Sequence, residues 1–232
     1  MGKFETINFE EIKSYTLFSK NSFNQILALS KNMPVYSLYG EGRDVKKEIY
    51  LDSPNNLLLS AGIILSKVIE EGKAYFKVER EGYLSGIPSL TRQKKVFIHP
   101  IGIKDTVFDH SLFLIEGITS MFSTKFYIDL DNVLKTVSPK LEIENRRTHF
   151  KVFSGRGFKA EMIYEDVRCK NYDTKRKAQF WTIDIKHTSS KINLNEFNSY
   201  IANLEKYCKE VIPTYETKYQ TAKKMTTNLI KK

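Results

Sequence analysis

Cysteine is scarce in this 232-residue chain: only Cys169 and Cys208 occur, and neither belongs to a Cys-x-x-Cys pair. A disulfide framework and a cysteine zinc site are thereby excluded, and two buried or half-buried free thiols are expected, as in a reducing cytoplasmic compartment. Long apolar runs are also missing. No stretch approaches the roughly 20 apolar residues of a membrane helix, and the opening MGKFETINFEEIK lacks the apolar centre of a signal peptide, so neither membrane insertion nor classical secretion is expected. Gly2 and Thr6 echo a myristoylation signal only faintly, without a basic cluster beside them. The four histidines, His99, His110, His149 and His187, show no metal-ligand spacing and no evident nucleophile partner. Neither Gly-x-x-x-x-Gly-Lys nor Gly-x-Gly-x-x-Gly occurs, and Ser154-Gly155-Arg156-Gly157 reads as a turn. With no internal repeat and no low-complexity linker, residues 1–232 read as one domain whose lysine-rich end, 222–232, frays.

What is present is a core and an excess of positive charge. Hydrophobic residues make up 41% of the chain, with 15 Phe and 13 Tyr, which is ample material for a globular interior. The formal net charge of +10 creates a field that attracts nucleotides, polyphosphate, nucleic acid or an acidic protein surface. Ten of the cations crowd one stretch: Arg146, Arg147, Lys151, Arg156, Lys159, Arg168, Lys170, Lys175, Arg176 and Lys177. A solvated basic face explains that crowding as readily as a binding site does.

Periodicity gives a coarse order of elements. EEIKSYTLF alternates as a strand, and SKNSFNQILALSKN has helical spacing with Asn21 or Ser22 as its cap. KEIYLDSP is a strand running into a turn at Pro54, and AGIILSKVI and AYFKVERE form a hairpin about Glu71-Gly72. TRQKKVFIHPIGI reads as a strand stopped by Pro100, DHSLFLIEGITSMF as a buried helix or strand, and KFYIDLDNVL is ambiguous. NRRTHFKVF and FKAEMIYEDVRC form a second hairpin, QFWTIDIKH a further strand, and Phe197, Tyr200, Ile201, Leu204, Cys208 and Val211 a helical stripe ending before Pro213. The fold class is therefore α+β, mainly antiparallel β.

Three segments in this order carry a resemblance. IYLDSPNNLLLSAGIILSK, ENRRTHFKVFSGRGFKAEMIYEDVRCKN and QFWTIDIKH, the last followed by a helix, are similar to segments of the CYTH-like triphosphate-tunnel superfamily, which includes RNA triphosphatases and a polyphosphate-polymerase branch. TYETKYQTA is similar to the Ser-Lys-Tyr ending of that branch. The likeness leaves residues 82–140 unmatched. It implies a closed, tunnel-like β-barrel with flanking helices, whose inward Lys and Arg hold a triphosphate and whose inward Glu hold Mg²⁺ or Mn²⁺.

The same resemblance implies gaps in the site. The family's opening Glu-x-Glu-x-Lys falls on Glu11, Lys13 and Tyr15, or on Phe9, Glu11 and Lys13 after a two-residue shift. Its Arg-x-Arg falls on Ser66 and Val68, and its late Glu-x-Glu on Thr182, Asp184 and Lys186. The implied phosphate ligands are Lys13, Lys77, Arg147, Lys151 and Lys186, and the implied metal ligands are Glu11, Glu161 and Asp184. Losing carboxylates and gaining lysines weakens divalent-ion binding. Glu142-Ile143-Glu144-Asn145-Arg146 repeats the Glu-x-Glu-x-Arg pattern but reads as a charged strand start. Three functions stay open: a binder of nucleotide, triphosphate or polyphosphate with catalysis weak or lost, an active metal-dependent triphosphatase acting for instance on RNA 5′-triphosphate, and a scaffold for nucleic acid or an acidic protein.

Overall fold

A computed structural model describes residues 2–9, 12–32, 36–80, 92–121, 129–154, 159–187, 194–214 and 216–227. The elements are β1 (Lys3–Phe9), β2 (Ile12–Leu17), α1 (Lys20–Asn32), β3 (Tyr36–Asp52), α2 (Leu57–Ser60), β4 (Ile63–Glu70), β5 (Lys73–Arg80), β6 (Arg92–Ile101), α3 (Ser111–Met121) and α4 (Leu130–Thr136). There follow β7 (Ser138–Ser154), β8 (Lys159–Asn171), β9 (Lys177–His187), α5 (Leu194–Tyr207), β10 (Val211–Pro213) and α6 (Lys218–Thr227). The strands form one sheet in the order β1-β6-β5-β4-β3-β7-β8-β9-β2-β10, and every ladder is antiparallel. No helix among the described residues is long and apolar enough to cross a membrane.

The closed barrel implied by the resemblance is not what the hydrogen bonds form: among the described residues β1 and β10 are edges. On either side of Glu10-Glu11, which lie outside the described residues, β1 pairs with β6 while β2 pairs with β9. Chain connectivity nevertheless bends the sheet. Phe9 and Ile12 are three residues apart, a Cα separation of at most about 11 Å. Laid flat, the eight strand spacings from β1 to β2 would measure about 38 Å. The sheet is therefore curled, with an inner and an outer face.

Alternation assigns side chains to those faces. On the outer face Tyr15, Leu17, Val152, Met162, Ile183 and Ile185 are buried under α1 and α5, joined by Phe23, Ile26, Phe197, Tyr200 and Leu204. Leu65, Phe76, Val78 and Phe97, also outward by register, are covered by Leu114 and Ile118 of α3 and by Val133 and Leu134 of α4. The inner face is mainly polar, except at one end. There Tyr50, Leu141, Ile143, Val167, Cys169 and Phe180 pack together with Ala222 of α6, closing that end with a third apolar cluster.

Local chemistry explains the boundaries, with some departures from expectation. The cap of α1 is Ser19 rather than Asn21 or Ser22: its Oγ accepts from Ser22 N at 3.3 Å, and Ser22 Oγ accepts from Ser19 N at 3.1 Å, a reciprocal capping box. Pro100 does not end β6 but lies within it opposite Tyr75, beyond Lys3–Ile98, the last described pair with β1, in keeping with the edge positions that proline takes in sheets. α5 stops at Tyr207 because Val211–Pro213 leave the helix to join β2 as an edge strand, although Cys208 and Val211 stay in the core as the stripe requires. The two ambiguous middle segments are α3 and α4, with residues 122–128 between them outside the described set. The β4–β5 turn places Glu71 at φ 50° and Gly72 at φ 74°, the left-handed pair that a tight hairpin needs.

Asp52 of the Asp-Ser-Pro segment is a structural residue. Its buried carboxylate accepts from the amides of Ser53 at 2.7 Å, Leu58 at 2.9 Å and Leu59 at 3.1 Å, and so caps α2. Asp52→Ala is expected to cost about 2 kcal/mol in urea unfolding, because buried amides lose a charged acceptor. An unchanged midpoint would contradict this role.

Candidate functional site

The inner face is a lattice of alternating cations and carboxylates. β5 contributes Lys77, whose ammonium contacts Glu48 of β3 and lies 3.4 Å from Glu79, while Ser66 Oγ of β4 donates to Glu48 at 3.0 Å. Burial opposes ionisation of Glu48, yet the charges of Lys77 and Lys46 and the hydrogen bonds from Lys77 and Ser66 hold its carboxyl down at about 2. Burial likewise disfavours the Lys77 ammonium, but Glu48 and Glu79 outweigh it and raise its pKa. For Lys46 burial prevails and lowers the pKa, with Glu48 opposing.

Linkage turns these shifts into a pH dependence. A carboxyl depressed in the fold stabilises it above the ordinary value of 4.5, and that contribution fades as pH falls toward 2. A depression of this size corresponds to about 3 kcal/mol. Chemical denaturation repeated from pH 5 to pH 2 is expected to show this loss in the parent chain and a shallower one in Glu48→Gln. Equal slopes would rule out Glu48 as its source.

Next along the face, Arg147 of β7 bridges two carboxylates, Asp44 of β3 through Nε and Glu70 of β4 through Nη2. His149, two residues on, stands between carboxylates as well: Nε2 is 2.7 Å from Asp44 and Nδ1 is 3.2 Å from Glu161 of β8. Burial works to raise the Asp44 pKa, but Arg147 and His149 more than offset it and hold the carboxyl below its usual range. Lys186 of β9 lies 3.7 Å from Glu161, and Lys151 contacts Glu41 at the strand end. Tyr75 Oη donates to Glu70 at 3.4 Å; burial first, then the Glu70 charge, push this phenol up to about 12.

Toward the apolar end, Lys218 of α6 reaches into the face. It contacts Glu165 of β8 and lies 3.0 Å from Asp184 of β9, and Thr182 Oγ1 donates to Glu165 at 2.9 Å. Burial disfavours the Lys218 ammonium, but Asp184 and Glu165 outweigh it and raise its pKa.

Of the residues singled out from the sequence, Lys77, Arg147, Lys151, Lys186, Glu161 and Asp184 share the inner face, across β5, β7, β8 and β9. Lys13 does not join them. It pairs with Ile185 and points to the face of Tyr15 and Leu17, because the β2 register directs Ser14 and Thr16 inward instead. Glu11 lies outside the described residues. Sequence reading missed Asp44, Glu48, Glu70, Glu165 and Lys218. For Asp44 and Glu48 the signal was the alternation Asp44-Lys46-Glu48-Tyr50 in β3, a strand visible from the sequence only from Lys47 onward.

The basic stretch separates. Arg147 and Lys151 are inner, whereas Arg146, Arg168, Lys175, Arg176 and Lys177 are exposed outside the lattice; Arg146 pairs with Glu144, and Arg168 lies 3.6 Å from Asp166. Glu142 pairs with Lys47 and accepts from Tyr172, consistent with a charged strand surface.

A resident Mg²⁺ or Mn²⁺ would need several free carboxylate oxygens around one point. Among the described residues no cluster of three or more His, Cys, Asp or Glu is arranged to hold a metal. Glu161 is taken by His149 and Lys186, and Asp184 by Lys218, so each already faces a cation that would repel the ion. These residues as they stand do not fit a resident divalent ion.

No protein-family model matches the chain, and no curated protein matches it in sequence. Solved structures do. An adenylyl cyclase candidate from Hippeastrum with a dominant triphosphatase activity superposes at a TM-score of 0.56 and 9% identity, over 97% of this chain and 99% of that one. A second adenylate cyclase candidate, from Bacillus halodurans, matches at 0.49 and 14% identity over 94% and 97%. Identities this low speak for the fold alone. The chain has the fold of the CYTH-like triphosphate-tunnel superfamily.

Proposed function

We propose that this chain binds a polyanionic phosphate ligand, a triphosphate or polyphosphate chain, on the inner face of a curled tunnel, with catalysis weak or lost. The observation that carries the reading is the convergence of Arg147, His149 and Lys151 of β7 with Lys186 of β9, a row that runs from Arg147, opposite the Glu165 that Lys218 contacts, away from α6. Lys151 and Lys186 retain 52% and 40% side-chain exposure, so their ammonium groups are open to an incoming anion. Phosphate oxygens would exchange with the carboxylates now on these cations, forming charge-assisted hydrogen bonds, bidentate at Arg147. The triphosphatase activity of the Hippeastrum protein makes triphosphates the ligands to try first. Weak catalysis follows from Lys186 and Lys218 lying against the carboxylates that a metal-assisted hydrolysis would need. The expectation that residues 1–232 act as one intracellular unit belongs to the same proposal.

Thermal unfolding with inorganic triphosphate, nucleoside triphosphates, polyphosphate and short RNA tests this, each in EDTA and in Mg²⁺ or Mn²⁺. A ligand selective for the folded state raises Tm. Triphosphate is expected to raise it even in EDTA, because the chain supplies the countercharge. Stabilisation by RNA alone, or rapid metal-dependent phosphate release, would contradict the reading in favour of a scaffold or an active enzyme respectively.

A further inference from the structure

Away from the charged inner face, two histidines meet beside α3. His99 lies in β6 opposite Phe76, on the outer face, and is 4% exposed. Its ring stacks on Phe113 of α3 at a centroid distance of 4.7 Å. His110 ends a short 3-10 turn, Phe108–His110, that runs directly into α3. The two rings are linked: His99 Nε2 is 3.0 Å from His110 Nδ1, and His110 Nε2 is 2.9 Å from Asp105 Oδ2. The Gly102 amide donates to the same Asp105 oxygen at 2.7 Å, and Lys67 of β4 donates to the carbonyls of Ile103 and Asp105. A chain of hydrogen bonds thus ties the segment that leads into α3 to β6.

This chain has a limited capacity for protons. A carboxylate only accepts, so with both rings neutral His110 carries its hydrogen on Nε2, and its Nδ1 accepts from His99 Nε2. His99 Nδ1 is then a buried lone pair, with no hydrogen-bond partner among the described residues. A further proton has no favourable place. On His99 it makes a buried cation with an unpaired N–H; on His110 it turns Nδ1 into a donor, so that His99 must carry its hydrogen on Nδ1, again unpaired. The neighbours offer little relief: β5 presents Phe76 and α3 presents Phe113, while the charges nearby are Asp105, Asp109 of the 3-10 turn, Lys67 and the chain's amino terminus. Burial first, and then His110, hold His99 below its ordinary 6.5. Asp105 is held low as well, by His110 and then by the Gly102 amide, so it stays an acceptor in mild acid. A histidine depressed in the fold stabilises it above pH 6.5, and that contribution fades as pH falls below this value.

We propose that the Asp105–His110–His99 chain is an acid-sensitive latch, which holds the 102–110 segment and α3 on β6 at neutral pH and releases them in mild acid. Release uncovers the apolar face of Phe76, Val78 and Phe97 that Leu114 and Ile118 now cover. The latch stands independently of the phosphate reading.

Hydrogen exchange of the full chain, read by mass spectrometry and corrected for intrinsic rates, tests it between pH 7.5 and pH 5. Protection across Ser111–Met121 is expected to fall about tenfold further than that of α1, the effect of one buried donor left unpaired. Glu48 loses its contribution only at lower pH, so the two effects do not overlap. His99→Phe, which keeps a ring against Phe113 without a titrating nitrogen, should reduce the fall to that of α1. Imidazole nitrogen shifts of the parent chain give a check that needs no variant: at pH 7.5 His99 should carry its hydrogen on Nε2, and it should titrate below 6.5. Equal falls in α3 and α1, an undiminished fall in His99→Phe, or a His99 that titrates at or above its ordinary value would each overturn the latch.

Discussion

Replacing Lys77 by Met is expected to destabilise the chain by about 3 kcal/mol, the largest stability loss that any single substitution on the inner face should produce. The loss arises from what remains rather than from what is removed. Glu48 and Glu79, both buried, would lose the ammonium that balances them, and an uncompensated buried carboxylate is costly even though an intact buried pair contributes little net stability. Lys46 stays near Glu48, which keeps the figure at the lower end of the range for broken buried pairs. A Glu48→Gln, Lys77→Met double variant should recover at least half of the loss, since the two residues are in contact and their effects are not additive. Urea unfolding of the parent and the three variants measures the cycle. Additive losses would mean that the two side chains do not act as a pair.

The second large effect concerns the ligand. Arg147→Ala is expected to weaken triphosphate binding about a hundredfold. The variant deletes the guanidinium that bridges β3 and β4 on the inner face and also releases Asp44 and Glu70, two carboxylates that would then repel the anion. Arg147→Lys should fall between, retaining the charge without the planar fork. Glu70→Gln should act in the opposite direction and tighten binding, because it removes a competitor for Arg147. Calorimetric titration of the three variants separates these outcomes, and an Arg147→Ala chain that binds as well as the parent would show that phosphate does not use this strand.

Why some of this was legible in the sequence and some was not follows from where each signal resides. The β4–β5 hairpin, the arginine-bearing β7 and β8, the β9 strand and the α5 stripe all show local alternation or helical spacing, and they lie where that pattern places them. The inward row Arg147, His149, Lys151 and the row Thr182, Asp184, Lys186 were readable for the same reason, since strand parity is a property of the segment alone. Lys13 shows the limit of this. Parity within its strand was correct, but which side of the strand faces inward depends on pairing with β9, and that is not local information.

The opening of the barrel was hidden for a related reason. The resemblance supplied one first strand, whereas β1 pairs with β6 and β2 with β9, and such long-range pairing is not local information. The missing carboxylates were the other surprise. A site judged by the family's strand positions looked depleted, yet Asp44, Glu48, Glu70 and Glu165 supply negative charge from neighbouring positions. The consequence is a face whose cations are already partnered, so that binding is an exchange of carboxylate for phosphate rather than the filling of a bare basic channel.

The most direct measurement is a crystal structure of the chain soaked with inorganic triphosphate in the absence of divalent metal. The account predicts density for the phosphate chain on the inner face, within hydrogen-bonding distance of Arg147, Lys151 and Lys186, with Glu70 or Glu161 displaced from its present partner. Density confined to the outer basic residues from Arg168 to Lys177, with the inner ion pairs unchanged, would contradict it.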